Sequence, residues 1–282
     1  MAAQYAEHLQ PPRATAKTAA TYTNRVAAFV EWCEARAVTK MDEVTFSLMA
    51  AYVRERSTTV KARTVNRDIM PIARMFAFAR REGLIPTNPF RTEDFRELKL
   101  REPEARPQAL TLSPGQVISV VEASAKILAA GHASLIAVVA GSGLRIGEAL
   151  HLEEQDIVVL DEKRGFIVVA PKANWQPKNY RCRRVPVTGA TCQAAIEFMR
   201  TRHTVRLDDK ATWDALKKVS EHLGLPRFSM HDLRRAWASA LHANGMSLKQ
   251  VSVLLGHSGI AVTERYIRAF NTEDTGHAFL PF

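Results

Sequence analysis

The spacing of apolar residues changes along the chain, and this change restricts the possible folds more than any other feature. In residues 14–36, 45–57 and 60–82, apolar side chains recur at the intervals of amphipathic helices. Short β-branched runs bounded by turn residues follow at 156–160, 165–169 and 183–187. The pattern predicts a mainly α-helical protein with a small antiparallel β-sheet in its second half.

A charged, proline-containing stretch divides the chain into two predicted domains. Residues 1–100 are predicted to form a helical domain, residues 101–110 a linker, and residues 111–282 a second domain that holds the sheet. The helical spacing of apolar residues is already lost from residue 91 onward. The first twelve residues are polar, end in two prolines and are expected to form a flexible arm.

The composition narrows the class of protein. With 282 residues the chain can bury two hydrophobic cores. A net charge of +10 suggests a polyanionic partner, with nucleic acid first, although a basic protein also gains solubility from such charge. Three cysteines without a CxxC motif argue against a disulfide framework or a zinc site. The sequence contains no long apolar run and no signal-peptide pattern, so we expect a cytoplasmic location.

The last third of the chain carries residues suited to phosphoryl transfer. His231 and Arg234 form an HxxR pair on a predicted helix, His257 follows a helix-ending Gly256, and Tyr266 comes nine residues later. We expect the His257 ring to point outward from that turn. Upstream, Arg145 follows a Gly-Ser-Gly break. An arginine fork can bind two phosphate oxygens, and a phenol can attack phosphorus once a base or nearby cations help it to ionise.

Each of these residues also has a plain structural interpretation. Arg145 could pair on the surface with Glu148, three residues later. The HxxR pair could belong to an exposed polar helix face, and His257 could cap a helix end. Tyr266 could pack its ring in a half-buried position. No single residue therefore decides the function.

Taken together and in order, these motifs resemble the tyrosine recombinase (phage integrase) family. The similarity runs from about residue 14 to residue 270, through Ser142–Glu148, Lys172, the Arg183–Val187 run, the HxxR pair and Tyr266. His257 stands where some members have Trp, which makes the chain look like the Xer members. The resemblance implies phosphate binding by Arg145 and Arg234, proton transfer by His231, a hydrogen bond donated by His257 to the same phosphate, and nucleophilic attack by Tyr266.

The resemblance also implies a lysine general acid on a β-hairpin, where the sequence offers two candidates. Lys172 closes the second predicted strand at the matching position and is preferred. Lys178 lies later in the same turn and could replace it, because this turn is longer and more aromatic than the short glycine-containing turn of the Xer members.

For the whole protein, the resemblance implies a two-domain clamp on double-stranded DNA. A SAM-like helical domain would bind one face of the duplex and the mixed catalytic domain the other. Two transesterifications through a 3′-phosphotyrosyl link would require no cofactor and no metal. The enzyme would act as a homo-tetramer, with the apolar tail of residues 271–282 docking on a neighbour or folding back. The alternatives are a type IB topoisomerase and a DNA-binding protein that has lost catalysis.

Overall fold

The computed structural model describes residues 2–10, 14–88, 90, 92–102, 112–178 and 181–267. Its internal contacts divide the chain into two compact units, residues 1–106 and 107–282. The proline pair that ends the predicted arm, residues 103–110 of the predicted linker and the tail of residues 271–282 lie outside the described residues.

The N-terminal unit is helical, and its longest helix carries the largest share of its core. Apolar residues of this helix recur along one face and are fully buried, as Val65, Ile69, Ile72 and Phe76 are. The helices predicted in residues 14–36, 45–57 and 60–82 are confirmed, with ends shifted by a residue or two. The unit's helices are α1 (Ala2–His8), α2 (Ala16–Glu34), α3 (Phe46–Thr59), α4 (Ala62–Arg81) and α5 (Thr92–Glu97).

Helix α4 continues through Pro71 because neighbouring helices satisfy the backbone there. A proline has no N–H to bond the carbonyl four residues earlier. That carbonyl, on Arg67, accepts a hydrogen bond from Arg25 Nη1 at 2.9 Å. The adjacent Asp68 is buried and pairs with Arg25 Nε at 3.3 Å and with Arg56 Nε at 3.0 Å. The Arg25 side chain of α2 thus replaces the lost helical bond, and Arg25 and Arg56 together hold this part of α4 through Asp68.

The expectation of a flexible arm is wrong for its first residues, which form α1. Tyr5 is 2% exposed, and its ring centroid lies 5.6 Å from that of Phe78 on α4. His8 also packs on Phe78, with a centroid separation of 4.4 Å. The packing of Tyr5 and His8 on Phe78 therefore orders a segment that we expected to be flexible.

Residues 92–100 also belong to this unit, although they lack an obvious helical period. Leu98, just after α5, is buried. Asn66 of α4 donates from Nδ2 to the Leu100 carbonyl at 2.9 Å, and its Oδ1 accepts from the Leu100 N–H at 2.9 Å. This pair of bonds ties the end of the segment to α4.

The C-terminal unit combines helices with a three-stranded sheet, as predicted. Ser113 caps its first helix, with Pro114 at the first helical position. None of the described helices has both the length and the apolar character needed to cross a membrane. The elements are α6 (Pro114–Ile127), α7 (Ala130–Ser142), α8 (Ile146–Leu150), β1 (Ile157–Val159), β2 (Arg164–Val169), β3 (Arg183–Thr188), α9 (Gly189–Thr201), α10 (Asp209–His222), α11 (Met230–Ala243), α12 (Leu248–Leu255) and α13 (Ile260–Ile267).

The sheet is antiparallel with strand order β1-β2-β3. Ile167 at its centre pairs with Ile157 on one side and Val185 on the other. Ile167 and Val185 are fully buried in the unit's core. Pro186 is tolerated because β3 is an edge strand, where a missing ladder donor costs little. The start of β3 brings Arg183 to the part of the unit where α8 begins and α12 ends.

Candidate active site

Arg145 stands at the N-terminus of α8, which follows a sharp break after α7. Gly143 makes that break with a left-handed φ of +62°, and a Cβ there would lie 2.2 Å from a Trp237 ring carbon. Arg145 donates from its backbone N–H to Glu148 Oε2 at 2.8 Å and from Nη1 to Oε1 at 2.8 Å. Its side chain keeps 24% exposure. The Glu148 pairing that the sequence suggested is therefore present, and it leaves the arginine accessible.

Arg234 lies deeper, on α11, with a side chain only 1% exposed. Its Nη1 donates to the Gly143 carbonyl at 2.7 Å, and its Nη2 donates to the Leu255 carbonyl at 2.5 Å. Nη1 also lies 3.6 Å from Glu148 Oε2. The two predicted phosphate-binding arginines thus share one carboxylate, although 89 positions separate them in the sequence.

Arg183 completes what we call the guanidinium cluster, Arg145, Arg183 and Arg234 around Glu148. It donates to Glu148 from Nη1 at 3.0 Å and from Nη2 at 2.6 Å. Burial alone raises the pKa of Glu148, but the hydrogen bonds and charge of Arg183, with the backbone bond and charge of Arg145, outweigh it and lower the pKa. Glu148 therefore stays ionised and neutralises part of the cluster's charge.

His257 is buried, so the expectation that its ring points outward is wrong. Gly256 ends α12 in the left-handed conformation, as predicted, and turns the chain inward. His257 Nε2 lies 3.4 Å from Arg234 Nη2, and Nδ1 lies 2.9 Å from Thr263 Oγ1. Burial and the charges of Arg234 and Arg145 lower the His257 pKa to about 3. The ring is therefore neutral, and because Arg234 can only donate, Nε2 accepts and Nδ1 carries the proton.

His231 sits in the first turn of α11, where Ser229 and Asp232 form the helix cap. Unlike Arg234 three residues later, His231 is exposed. Desolvation and the charges of Arg234 and Arg235 lower the His231 pKa. The imidazole is thus held neutral at physiological pH, the state in which it accepts a proton.

Lys172 forms no hydrogen bond or ion pair with the guanidinium cluster among the described residues. Its Nζ lies 2.5 Å from Asp156 Oδ1 and 3.5 Å from Glu153 Oε2. Burial lowers the pKa of Lys172, but the hydrogen bond and charge of Asp156 outweigh it, so the pKa is raised. Its backbone bonds Trp175, whose ring stacks on His151 with a centroid separation of 4.8 Å. The alternative, Lys178, is exposed on the same turn.

The predicted nucleophile Tyr266 lies on α13, whose backbone the structure describes through Ile267. The Tyr266 side chain lies outside the described part of the chain. The helix itself is held next to His257 through the fully buried Thr263. The structure thus brings the helix bearing Tyr266 to the guanidinium cluster.

Sequence reasoning missed three residues of this region. Arg183 was noted only as part of a β-strand motif, and Asp156 and Thr263 were not singled out. Asp156 bonds a lysine 16 positions later and Thr263 a histidine 6 positions earlier, so neither partner lies within one helical turn, where sequence patterns are readable. The Arg183 signal was weak, since an arginine beginning a strand is usually solvated. Among the described residues, no group of three His, Cys, Asp or Glu side chains could hold a metal ion.

Comparison with known proteins covers both units. The family model described as "Phage integrase family" matches residues 111–273, and that described as "Phage integrase, N-terminal SAM-like domain" matches residues 2–83. The tyrosine recombinase XerD of Lacticaseibacillus casei is 24% identical over 280 residues, covering 95% of this chain and 94% of that protein.

Two solved structures are similar to this chain in fold. A lambda integrase dimer bound to a COC′ core site superposes with a TM-score of 0.69 at 17% identity, covering 96% of this chain and 95% of that chain. The XerH site-specific recombinase bound to a palindromic difH substrate, in a post-cleavage complex, also gives 0.69 at 17% identity, covering 95% and 81%. The expected fold, a helical SAM-like domain followed by a mixed catalytic domain, is confirmed.

Proposed function

The chain belongs to the phage integrase family of tyrosine recombinases, and from that premise we propose that it is a site-specific DNA recombinase acting through a 3′-phosphotyrosyl intermediate. The observation that carries this proposal is the cluster of Arg145, Arg183 and Arg234 around Glu148, beside the helix that bears Tyr266. Three guanidiniums facing one carboxylate form a site with excess positive charge, which a DNA phosphate would complement.

In the proposed first step, the Tyr266 oxygen attacks phosphorus while the bond from phosphorus to the 5′-oxygen breaks. The phenol proton passes to neutral His231, and the departing 5′-oxygen receives a proton from a lysine. Arg145 and Arg234 bind the non-bridging oxygens and stabilise the charge of the transition state. In the second step, a 5′-hydroxyl from another strand gives its proton to the lysine and attacks phosphorus, and the departing Tyr266 oxygen takes back the proton held by His231. The phosphotyrosine conserves the bond energy, so neither ATP nor metal enters the scheme.

His257 is proposed to donate to the same phosphate once DNA is bound. In the DNA-free chain its Nε2 accepts from Arg234 and cannot donate. A phosphate placed between the guanidiniums would cancel part of the positive charge that depresses the His257 pKa. The substrate itself would therefore favour the protonated ring, whose Nε2–H can donate to a phosphate oxygen.

We propose that Lys178 supplies the proton to the 5′-oxygen, with Lys172 as the alternative under test. The Lys172 ammonium is held by Asp156 and Glu153, and its raised pKa makes it a weaker acid. Its contacts suit a residue that anchors the turn to the segment before β1. Lys178 is exposed on that turn and forms no ion pair among the described residues.

Lys178→Ala is expected to slow cleavage by roughly 10²–10⁴-fold, the usual contribution of a general acid. A substrate with sulfur in place of the bridging 5′-oxygen should restore the rate, because a thiolate leaves without a proton. Lys172→Met is expected to lower the melting temperature more than the cleavage rate. Rescue of Lys172→Met by the sulfur substrate, with no rescue of Lys178→Ala, would reverse the assignment.

The target sequence can be found by covalent capture. Genomic DNA of the source cell, nicked at random, contains suicide substrates, because a nick just beyond the cut lets the short 5′-hydroxyl fragment diffuse away. Detergent-stable adducts should contain one recurring sequence, and digestion should yield a nucleotide-bearing peptide spanning Tyr266. The absence of any adduct would contradict the proposed function and favour a protein that only binds DNA.

Strand exchange separates a recombinase from a topoisomerase. A plasmid with two copies of the captured site should give deletion or inversion products. Relaxation of supercoils without exchange would indicate type IB topoisomerase activity instead. We propose that the reaction takes place in the cytoplasm of a cell whose chromosome is not enclosed, and that each of the two units supplies part of the DNA-binding surface.

We propose that strand exchange is carried out by a homo-tetramer on two paired sites, with the tail docking on a neighbouring copy. Deleting residues 274–282 is expected to abolish paired complexes while leaving binding to a single site intact. Native gels with one-site and two-site DNA would measure both properties. Unchanged recombination by the deletion variant would rule out a role for the tail.

A further inference from the structure

The three guanidiniums of the cluster bind three successive carbonyls at the end of α12. Arg183 Nε donates to the Leu254 carbonyl at 2.6 Å, Arg234 Nη2 to Leu255 at 2.5 Å, and Arg145 Nη2 to Gly256 at 3.1 Å. The last carbonyls of a helix have no partner within the helix and form the negative end of its dipole. Here arginines from the start of α8, from α11 and from β3 supply the hydrogen-bond donors for these carbonyls. His257 directly follows Gly256, the last of the three residues whose carbonyls are bound.

Among the three arginines, Arg183 makes the most symmetric contact with Glu148. It is bound to both carboxylate oxygens, and its side chain is only 5% exposed. Gly256 permits the close approach, because a Cβ there would lie 2.9 Å from Arg183 Nη1. These contacts turn Arg183 toward the protein, whereas Arg145 keeps 24% side-chain exposure.

Arg183 also decides how Arg145 uses its hydrogen-bond donors. An arginine and a carboxylate tend to form a two-bond fork. Here Arg183 forms the two-bond pair with Glu148. The Arg145 side chain therefore donates only one hydrogen bond to Glu148, from Nη1. A guanidinium has five N–H donors, and Arg145 therefore keeps donors for a phosphate. Without Arg183, Glu148 could form the two-bond pair with Arg145. The paired N–H groups of Arg145 would then point toward Glu148 and away from the DNA.

We propose that Arg183 is a positioning residue for the recombination reaction: through Glu148 and the Leu254 carbonyl, it holds the Arg145 guanidinium and the end of α12 where the phosphate is received. The inference rests on the proposed function, and it assigns Arg183 no contact with the DNA. It requires that Arg183 affect the cleavage step more than DNA binding, and that its effect pass through Glu148.

The test measures single-turnover cleavage of the captured DNA site as a function of DNA concentration. Arg183→Gln is expected to lower the rate at saturating DNA by about 10–100-fold, with little change in the half-saturating concentration, as for an interaction that matters in the transition state. Arg183→Lys should recover part of the rate, since it keeps the charge but loses the fork. The melting temperature of each variant reports on folding.

Two comparisons give the test its controls. Arg184→Gln removes the same charge from the exposed neighbouring position of β3 and should leave the saturated rate unchanged. The double variant Arg183→Gln with Glu148→Gln should be only slightly slower than Glu148→Gln alone, because residues that act through one contact are not additive.

The possible results are distinct. A wild-type saturated rate in Arg183→Gln, or fully multiplicative losses in the double variant, would overturn the positioning role while leaving the recombinase function in place. If only the melting temperature falls, Arg183 is merely structural and the inference fails. A wild-type protein that forms no adduct would overturn the proposed function and this inference with it.

Discussion

Tyr266→Phe is expected to abolish covalent capture of DNA while leaving DNA binding intact. The substitution removes one oxygen atom, and the proposed nucleophile with it. Binding depends mainly on cationic contacts to phosphates, which this change does not touch. Denaturing gels of the nicked captured site would show the loss of the adduct, and native gels would show the retained complex.

The matched control is Tyr22→Phe, which removes the same atom from a tyrosine of the N-terminal unit. The Tyr22 hydroxyl accepts a hydrogen bond from Arg74 Nη1 at 3.2 Å, so its loss should leave the adduct yield unchanged. A covalent adduct that persists in Tyr266→Phe would show that another residue attacks the phosphate, and the assignment of the nucleophile would then be wrong.

Arg145→Lys is expected to slow cleavage at saturating DNA by roughly 10²–10³-fold, the usual cost of removing one preorganised donor to a developing negative charge. Lysine keeps the charge but loses the planar fork that can bind Glu148 and a phosphate oxygen together. DNA affinity should fall much less than the rate, because affinity follows charge. Single-turnover cleavage measured together with equilibrium binding would separate the two effects.

A conservative exchange far from the site provides the reference for Arg145→Lys. Arg206 is 81% exposed and pairs with Asp208, and Arg206→Lys should change neither rate nor affinity. Equal losses of rate and affinity in Arg145→Lys would mean that Arg145 contributes uniform binding rather than transition-state stabilisation. A wild-type rate would remove Arg145 from the proposed mechanism.

The charge balance of the site explains why Arg145→Lys should act on the chemical step more than on DNA binding. Among the described residues, Glu148 is the acid that pairs with the three guanidiniums. Their remaining charge is buried or half-buried, where electrostatic interactions are stronger than in water. The DNA-free chain satisfies these groups with the carbonyls at the end of α12. A phosphate arriving there would meet donors already oriented, at little reorganisation cost.

Local features of this chain were predictable from neighbouring residues alone. Ser113 and Pro114 marked the start of α6, and Gly256 marked the end of α12, because caps and left-handed turns depend on residues within one helical turn. The three strands were predicted close to their observed bounds, since β-branched runs and turn residues are local signals. The order of Arg145, His231, Arg234, His257 and Tyr266 was also readable, and with it the resemblance to the family.

Sequence patterns misjudged segments that long-range contacts hold in place. The first residues were expected to form a flexible arm, yet Tyr5 packs its ring beside Phe78 and residues 2–8 form α1. A proline inside a helix usually kinks or breaks it, yet α4 continues through Pro71 because Arg25 of α2 replaces the missing hydrogen bond. In both cases the deciding atom lies more than forty positions away in the sequence.

The local amino-acid order thus determines most of the helices, the strands and the set of residues with suitable chemistry, because these depend on neighbours within a few positions. Only the tertiary structure determines which groups meet. Arg145 binds a carbonyl 111 positions away, and Arg183 donates to both carboxylate oxygens of Glu148, 35 positions away. Lys172 pairs with Asp156 and not with the guanidinium cluster. Such contacts follow the path of the whole chain, because a buried charge is stable only where another part of the fold supplies its partner.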